Sequence, residues 1–176
     1  HEVGRPSQAS PIGLDVMNQV KFEQKLDGQV PEDAVFRDET GAEVKLGQYL
    51  GKKPVALVLV QYECKMLCTQ ILNGTLHALF DLKFDVGKDF EIVTISIDPR
   101  ETPELASEKK QSYLDKFARE SNRSLDPAGW HFLVGSKESI DSVADAIGYR
   151  YVFDAASDQY AHPSGIVVQI YRPRRG

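Results

Sequence analysis

The stretch "VALVLVQYECKMLC", Val55 to Cys68, decides how this chain reads. Its first six residues are all apolar, half of them valine, with no alternation between apolar and polar positions. A strand written this way is buried on both faces, and such strands belong to parallel sheets covered by helices. Both cysteines of the chain follow at once, four positions apart.

Working outward, the same grammar repeats. A helical stretch is expected from about Met66 to Leu82, with Leu67, Ile71, Leu72, Leu76, Leu79 and Phe80 on it. "FEIVTISID", Phe90 to Asp98, reads as a second buried strand. Thr102 to Phe117 follows as a helix, with Thr102 as N-cap, Pro103 at the first position and Glu104 in the first turn. "WHFLVG" is a short strand, and "SKESIDSVADAIG" a helix that starts at Ser136 and ends at Gly148. "SGIVVQIY" is a last strand, entered through His162-Pro163. Ahead of Val55, "AVFRDETGAEVKLGQYLG" holds two short alternating runs around Glu39-Thr40-Gly41, a hairpin, and then a short helical turn from Leu46 to Leu50. Residues 1–30 read as an extended arm punctuated by proline and glycine, and 31–176 as one domain. Strands alternating with helices imply an α/β fold around a mainly parallel central sheet flanked by helices.

Composition bounds the function. A chain of 176 residues with 41% hydrophobic and 27% charged residues is long enough for one sizeable core. A net charge of -5 gives no general reason to expect nucleic acid, and the basic cluster Arg172, Arg174, Arg175 reads as a solvated end. The longest strongly apolar run, Val55 to Val60, is far too short to cross a bilayer. The chain starts at His1 rather than methionine, so whatever came first was removed, and that leaves room for a lost export signal or membrane anchor. Two cysteines make no disulfide framework, and they do not fix the redox compartment.

In open α/β sheets, function collects beyond the carboxyl ends of the strands. Cys64 and Cys68 fall there, in the opening turn of the expected helix, where thiolates are favoured and the thiol pKa should fall. Helical residues four apart have Cβ atoms about 5–6 Å apart, whereas a disulfide wants about 3.5–4.5 Å. A metal held roughly 2.3 Å from each sulfur accepts the wider bite. The pair favours metal capture and leaves oxidation open, against the plain alternative of two small core residues sharing a helix face. Of the four histidines, His1 lies in the arm, His77 mid-helix and His131 within a strand beside Trp130. His162, at the start of the last core strand, is the one whose chain position returns to the same end of the sheet as Cys64.

At this point the sequence resembles the Sco/SenC family, thioredoxin-fold proteins implicated in copper delivery to cytochrome oxidase. The matching elements are Cys64-x-x-x-Cys68, "SIDPRETP" from Ser96 to Pro103, "WHFLVG" from Trp130 to Gly135, and "YAHPSGIVV" with His162, in family order over about Val30 to Val168. The resemblance implies a thioredoxin-like fold with Cys64, Cys68 and His162 as copper ligands and Asp98 as the acidic residue the family keeps near its site. Two thiolates and an imidazole suit Cu(I), and Cu(II) with one added oxygen or nitrogen. Structural zinc usually takes four protein ligands, and a zinc site with an open water position stays open as an alternative. Asp98 could orient His162 or a lysine from outside the ligand set; its plain role is a strand-end turn with Pro99 or an ion pair with Arg100.

Departures carry expectations too. Many members have proline after one or other motif cysteine, where this chain has Lys65 and Thr69; Lys65 would favour thiolate. The family pattern continues beyond "GIVV" through a turn, a further strand and a terminal helix, while this chain stops at "QIYRPRRG". A missing last strand would leave an exposed edge and favour self-association. The implied role is a copper-binding accessory protein, exported or periplasmic and membrane-anchored in its precursor, whose partner is an oxidase copper-centre subunit or another copper or thiol protein. The rival is a thiol-disulfide oxidoreductase in which Cys64 and Cys68 are the catalytic pair, with peroxidase chemistry as its variant. A third reading makes the arm a docking module.

Overall fold

The computed structural model describes residues 30–50, 53–63, 85–121 and 125–149, and the backbone of three short strands beyond them. The expected hairpin is present as β1, Val35–Arg37, and β2, Glu43–Lys45, with Phe36 opposite Val44. Its turn is shaped by the Asp38 carboxylate, which accepts from the Thr40 amide at 2.9 Å, the Thr40 hydroxyl at 2.6 Å and the Ala42 amide at 3.2 Å. Gly41 takes φ +86°, a conformation side chains with a Cβ rarely adopt. A single 3-10 turn, Leu46–Tyr49, follows where a helical turn is expected, and buries Leu46.

The centre of the sheet is β3, Val55–Val60, β4, Glu91–Ser96, and β5, Trp130–Gly135, parallel and in register. Antiparallel strands flank this core on both sides. β1 pairs with β5, and β8, Gln169–Tyr171, pairs with β3, giving the order β2-β1-β5-β4-β3-β8. A hairpin of β6, Val152–Asp154, and β7, Gln159–Ala161, stands apart as a second, two-stranded sheet. The sequence reading does not anticipate it, because runs of three residues carry too little periodicity to stand out.

Helix α1, Pro103–Glu120, begins where its cap predicts: the Thr102 hydroxyl accepts from the Leu105 amide at 3.3 Å and Pro103 follows. Helix α2, Lys137–Ala146, is capped by the Ser136 hydroxyl on the Ser139 amide, and past its end Gly148 adopts φ +73°.

The continuous apolar run of β3 is explained by the two cores it serves. Val55, Leu57 and Leu59 join Val93, Ile95 and Leu133 against Ile140, Val143 and Ala144 of α2, together with Phe36 and Leu46. Val58 and Val60 face the other way, into a core with Ile92, Trp130, Phe132 and Ala106, Tyr113 and Phe117 of α1. Val30, at the inner end of the arm, is buried in the first core, while residues 1–29 lie outside the described residues. Among the described residues no helix is long and apolar enough to cross a membrane.

Candidate metal centre

Cys64, Cys68 and His162 all lie outside the described residues, as do Lys65, Thr69, His77 and the helix expected from Met66 to Leu82. Among the described residues, no group of three or more His, Cys, Asp or Glu side chains is arranged to hold a metal ion. What the structure describes is the carboxyl edge of β3 and β4, up to the residue before Cys64.

That edge is tied by buried polar bonds. β4 ends at Ser96, and the loop Ile97–Thr102 turns back across the end of β3, with the Ile97 amide bonded to the Val60 carbonyl at 2.9 Å. Gln61, Tyr62 and Glu63, the three residues between β3 and Cys64, each bond to this loop. The Gln61 amide nitrogen donates to Asp98 Oδ2 at 3.1 Å. The backbone N–H of Tyr62 donates to Glu101 Oε1 at 2.7 Å and that of Glu63 to Glu101 Oε2 at 2.8 Å. Ser96 Oγ lies 2.6 Å from the same Oε1 and donates to it. One carboxylate therefore receives two successive backbone amides and a hydroxyl, the geometry in which charge-assisted bonds are strongest. Burial pushes the Glu101 carboxyl above its ordinary value and the charge of Asp98 adds to this, while the three hydrogen bonds pull the other way.

Tyr62 anchors the same segment from within. Its ring is buried against Phe132, and its hydroxyl sits 2.9 Å from the Leu133 carbonyl and 3.2 Å from that of Thr94, bridging β5 and β4. Burial, reinforced by the carboxylates of Glu101 and Glu39, holds the phenol well above its ordinary value, so it stays a donor.

Asp98 is buried at this edge, and its described partners are those of a strand-end turn. Oδ1 accepts from the Arg100 amide at 2.9 Å and Nε at 3.0 Å; Oδ2 accepts from Arg100 Nη2 at 2.9 Å as well as from Gln61. The ion pair with Arg100 is thus present, together with a reach to Gln61 that the sequence reading did not foresee. Glu101, Gln61 and Tyr62 were not singled out either. Glu101 lies within "SIDPRETP", one residue before the helix cap, where nothing local marks it. Its partners are 5, 38 and 39 residues away in the chain.

On the far side of β3, strand β8 runs from Gln169 opposite Leu57 to Tyr171 opposite Val55. Its amino end therefore faces the carboxyl end of β3. His162 precedes that strand in the sequence. His131, set aside as a ligand, is half-buried on β5 near the opposite end of the sheet, its ring 4.3 Å from that of Tyr49 and its Nε2 3.6 Å from Glu91 Oε1.

No protein-family model and no curated protein matches the chain. Solved structures do. The chain is similar to a protein of Aquifex aeolicus VF5 provisionally assigned to electron transfer, with 25% identity and a TM-score of 0.64 over 84% of this chain and 82% of that one. It is also similar to Arabidopsis thaliana ScoI, solved with copper bound, at 22% identity and a TM-score of 0.58 over 84% and 90% of the two chains. A SCO1/SenC family lipoprotein of Bacillus anthracis strain Ames matches at 18% identity and a TM-score of 0.51 over 79% and 82%. The α/β architecture expected from the motifs is the architecture of these Sco proteins.

Proposed function

We propose that this chain, which has the fold of the Sco/SenC proteins, is a copper-binding accessory protein of that family. It holds copper as cargo through Cys64, Cys68 and His162 and supports assembly of the copper centre of a respiratory oxidase. The observation that carries this reading is the arrangement at the carboxyl edge of the sheet. Gln61–Glu63 are pinned by Asp98 and Glu101, so the chain enters Cys64 from a fixed point, and β8 is laid down with its amino end facing that same edge. Two thiolates and one imidazole make a soft, three-coordinate set that fits Cu(I), and the set lacks the fourth protein ligand that structural zinc usually takes. Copper in the ScoI relative supports the same assignment. Asp98 acts from outside the ligand set. The protein works on the exported side of a membrane, anchored in its precursor, as the lipoprotein nature of the Bacillus relative supports. Its partner is an oxidase copper-centre subunit or another protein carrying copper or thiols.

The test is a metal-edge spectrum of protein loaded with copper under reducing conditions, read for metal identity and number of sulfur neighbours. The wild type binds one copper with two sulfur neighbours, and Cys64→Ala and His162→Ala each lose stoichiometric binding. Unchanged affinity in both variants would overturn the ligand assignment.

A second reading, a thiol-disulfide oxidoreductase with Cys64 and Cys68 as its pair, is favoured by the Aquifex relative assigned to electron transfer and by Lys65 beside the sulfurs. A measured reduction potential and exchange rate separate the two. Absence of exchange with small disulfides at neutral pH removes this reading and leaves the first.

A further inference from the structure

Glu101 is a buried carboxylate with both oxygens hydrogen-bonded, yet it neither belongs to the expected ligand set nor reaches a cation in any described contact. Its oxygens take the amides of Tyr62 and Glu63 and the hydroxyl of Ser96, at 2.6–2.8 Å. Only the two backbone dihedrals of Glu63 separate its amide from the peptide plane that leads into Cys64, so holding that amide narrows where the chain enters Cys64. Backbone N–H groups that leave a strand end without a ladder partner need an acceptor. Here one carboxylate supplies it for two successive residues, in a place only 8% exposed. Tyr62 prevents the segment from escaping sideways, because its hydroxyl is held by carbonyls of two other strands.

We infer that Glu101 is a positioning residue for Cys64: its carboxylate holds Tyr62 and Glu63, the residues that lead into Cys64, by reach and bond direction rather than by charge. The inference rests on Cys64 being the site thiol of the proposed function. It requires that a side chain one methylene short fail where the charge is kept, and that loss of global stability by itself have no such effect.

The experiment compares Glu101→Asp, which keeps the charge and loses the reach, with Val143→Ala in α2, which removes buried methyl groups from the other core. Two quantities are read. The first is the rate at which iodoacetamide alkylates Cys64 at neutral pH in a Cys68→Ser background, which needs no metal. The second is Cu(I) affinity of the otherwise wild-type protein, by competition with a chromophoric chelator. Glu101→Asp slows alkylation and weakens Cu(I) binding by about tenfold or more, the scale on which groups behind a metal ligand act. Val143→Ala lowers the urea midpoint and leaves both quantities unchanged. The inference is overturned when Glu101→Asp keeps the wild-type alkylation rate, or when Val143→Ala slows it equally. Should Glu101→Asp fail to fold, Ser96→Ala removes one of the three donors and leaves both amide bonds. It then slows alkylation a few-fold, and a wild-type rate there overturns the inference. If the wild type binds no Cu(I) while Glu101→Asp still slows alkylation, the copper reading falls and the positioning role stands.

Discussion

Two clusters of polar side chains, one buried and one half-buried, sit at opposite ends of β4, and they are built differently. At the carboxyl end, Glu101, Ser96, Asp98 and Gln61 are linked to each other or to backbone amides by bonds of 2.6–3.1 Å. At the amino end, His131 Nε2 is buried without a hydrogen-bond partner, 3.6 Å from Glu91 Oε1, and Glu39 Oε2 is likewise buried without one. A fully satisfied buried network rigidifies and specifies one arrangement; a partly satisfied one is a weakness that answers to protonation. The fold thus places its fully bonded polar structure at the edge from which the chain leaves toward Cys64 and its gapped one at the other end of β4.

The largest effect comes from removing the anchor of the rigid cluster. Tyr62→Ala deletes a buried ring and the bridge to the Leu133 and Thr94 carbonyls, and is expected to cost about 3–5 kcal/mol in urea unfolding. Glu101→Ala comes next. It leaves two backbone amides and the Ser96 hydroxyl without their charged acceptor, at about 2–3 kcal/mol by the same measurement. A cost for Glu101→Ala no larger than that of a surface substitution would break the contrast between the two ends, since the carboxyl-end network would then contribute no more order than the gapped one.

The elements that position this edge were legible in the sequence wherever the signal is local. The unbroken apolar run of β3 announces burial on both faces, Thr102-Pro103 and Ser136 announce the two helix starts, and Gly148 announces an end, because each is decided within a few residues of backbone. Strand bounds came out slightly long: Phe90 to Asp98 expected, Glu91–Ser96 found, since the chain turns at Asp98 to bond Arg100. What could not be read was side-chain partnership across distance. Nothing in "SIDPRETP" says that Glu101 will meet the amide of a residue 39 positions earlier, since that is fixed by β3 and β4 pairing in register. The Asp98–Arg100 pair was legible because it is two residues long; the Asp98–Gln61 bond was not. The proposed ligands, Cys64, Cys68 and His162, rest on motif order and donor chemistry, because they lie outside the described residues.

The gapped cluster predicts a smaller effect, visible in pH rather than in absolute stability. Burial holds the His131 imidazole below its ordinary value of 6.5, with Lys110 acting in the same direction and Glu91 opposing. Below 6.5 the unfolded chain therefore binds a proton that the folded one resists. The stability contributed by neutral His131 is fully present above 6.5 and is lost as pH falls through that value toward the folded pKa. His131→Phe keeps a ring against Tyr49 and removes the unpartnered nitrogen. It should leave stability at about pH 7.5 changed by no more than about 1 kcal/mol and flatten the decline that sets in as pH falls below about 6.5. Urea midpoints of both proteins across that range check it, and an unchanged slope in the variant would assign the acid sensitivity to another group.

The smallest effect separates the inner and outer members of the rigid cluster. Arg100 forms the only described cationic contact of Asp98, but its side chain is 53% exposed while that of Asp98 is 4% exposed. Arg100→Ala removes the guanidinium and leaves two bonds to Asp98 in place, one from the Arg100 backbone amide at 2.9 Å and one from the Gln61 side chain at 3.1 Å. With its guanidinium on the solvent side, such a pair is worth about 0.5 kcal/mol, and less in high salt. Urea midpoints in low and high salt should therefore show a small loss that shrinks on adding salt, whereas the loss in Glu101→Ala persists because its partners are buried N–H groups rather than solvated charge. If Arg100→Ala costs as much as Glu101→Ala, the solvent-side ion pair would be what holds the loop against β3. The entry to Cys64 would then depend on ionic strength.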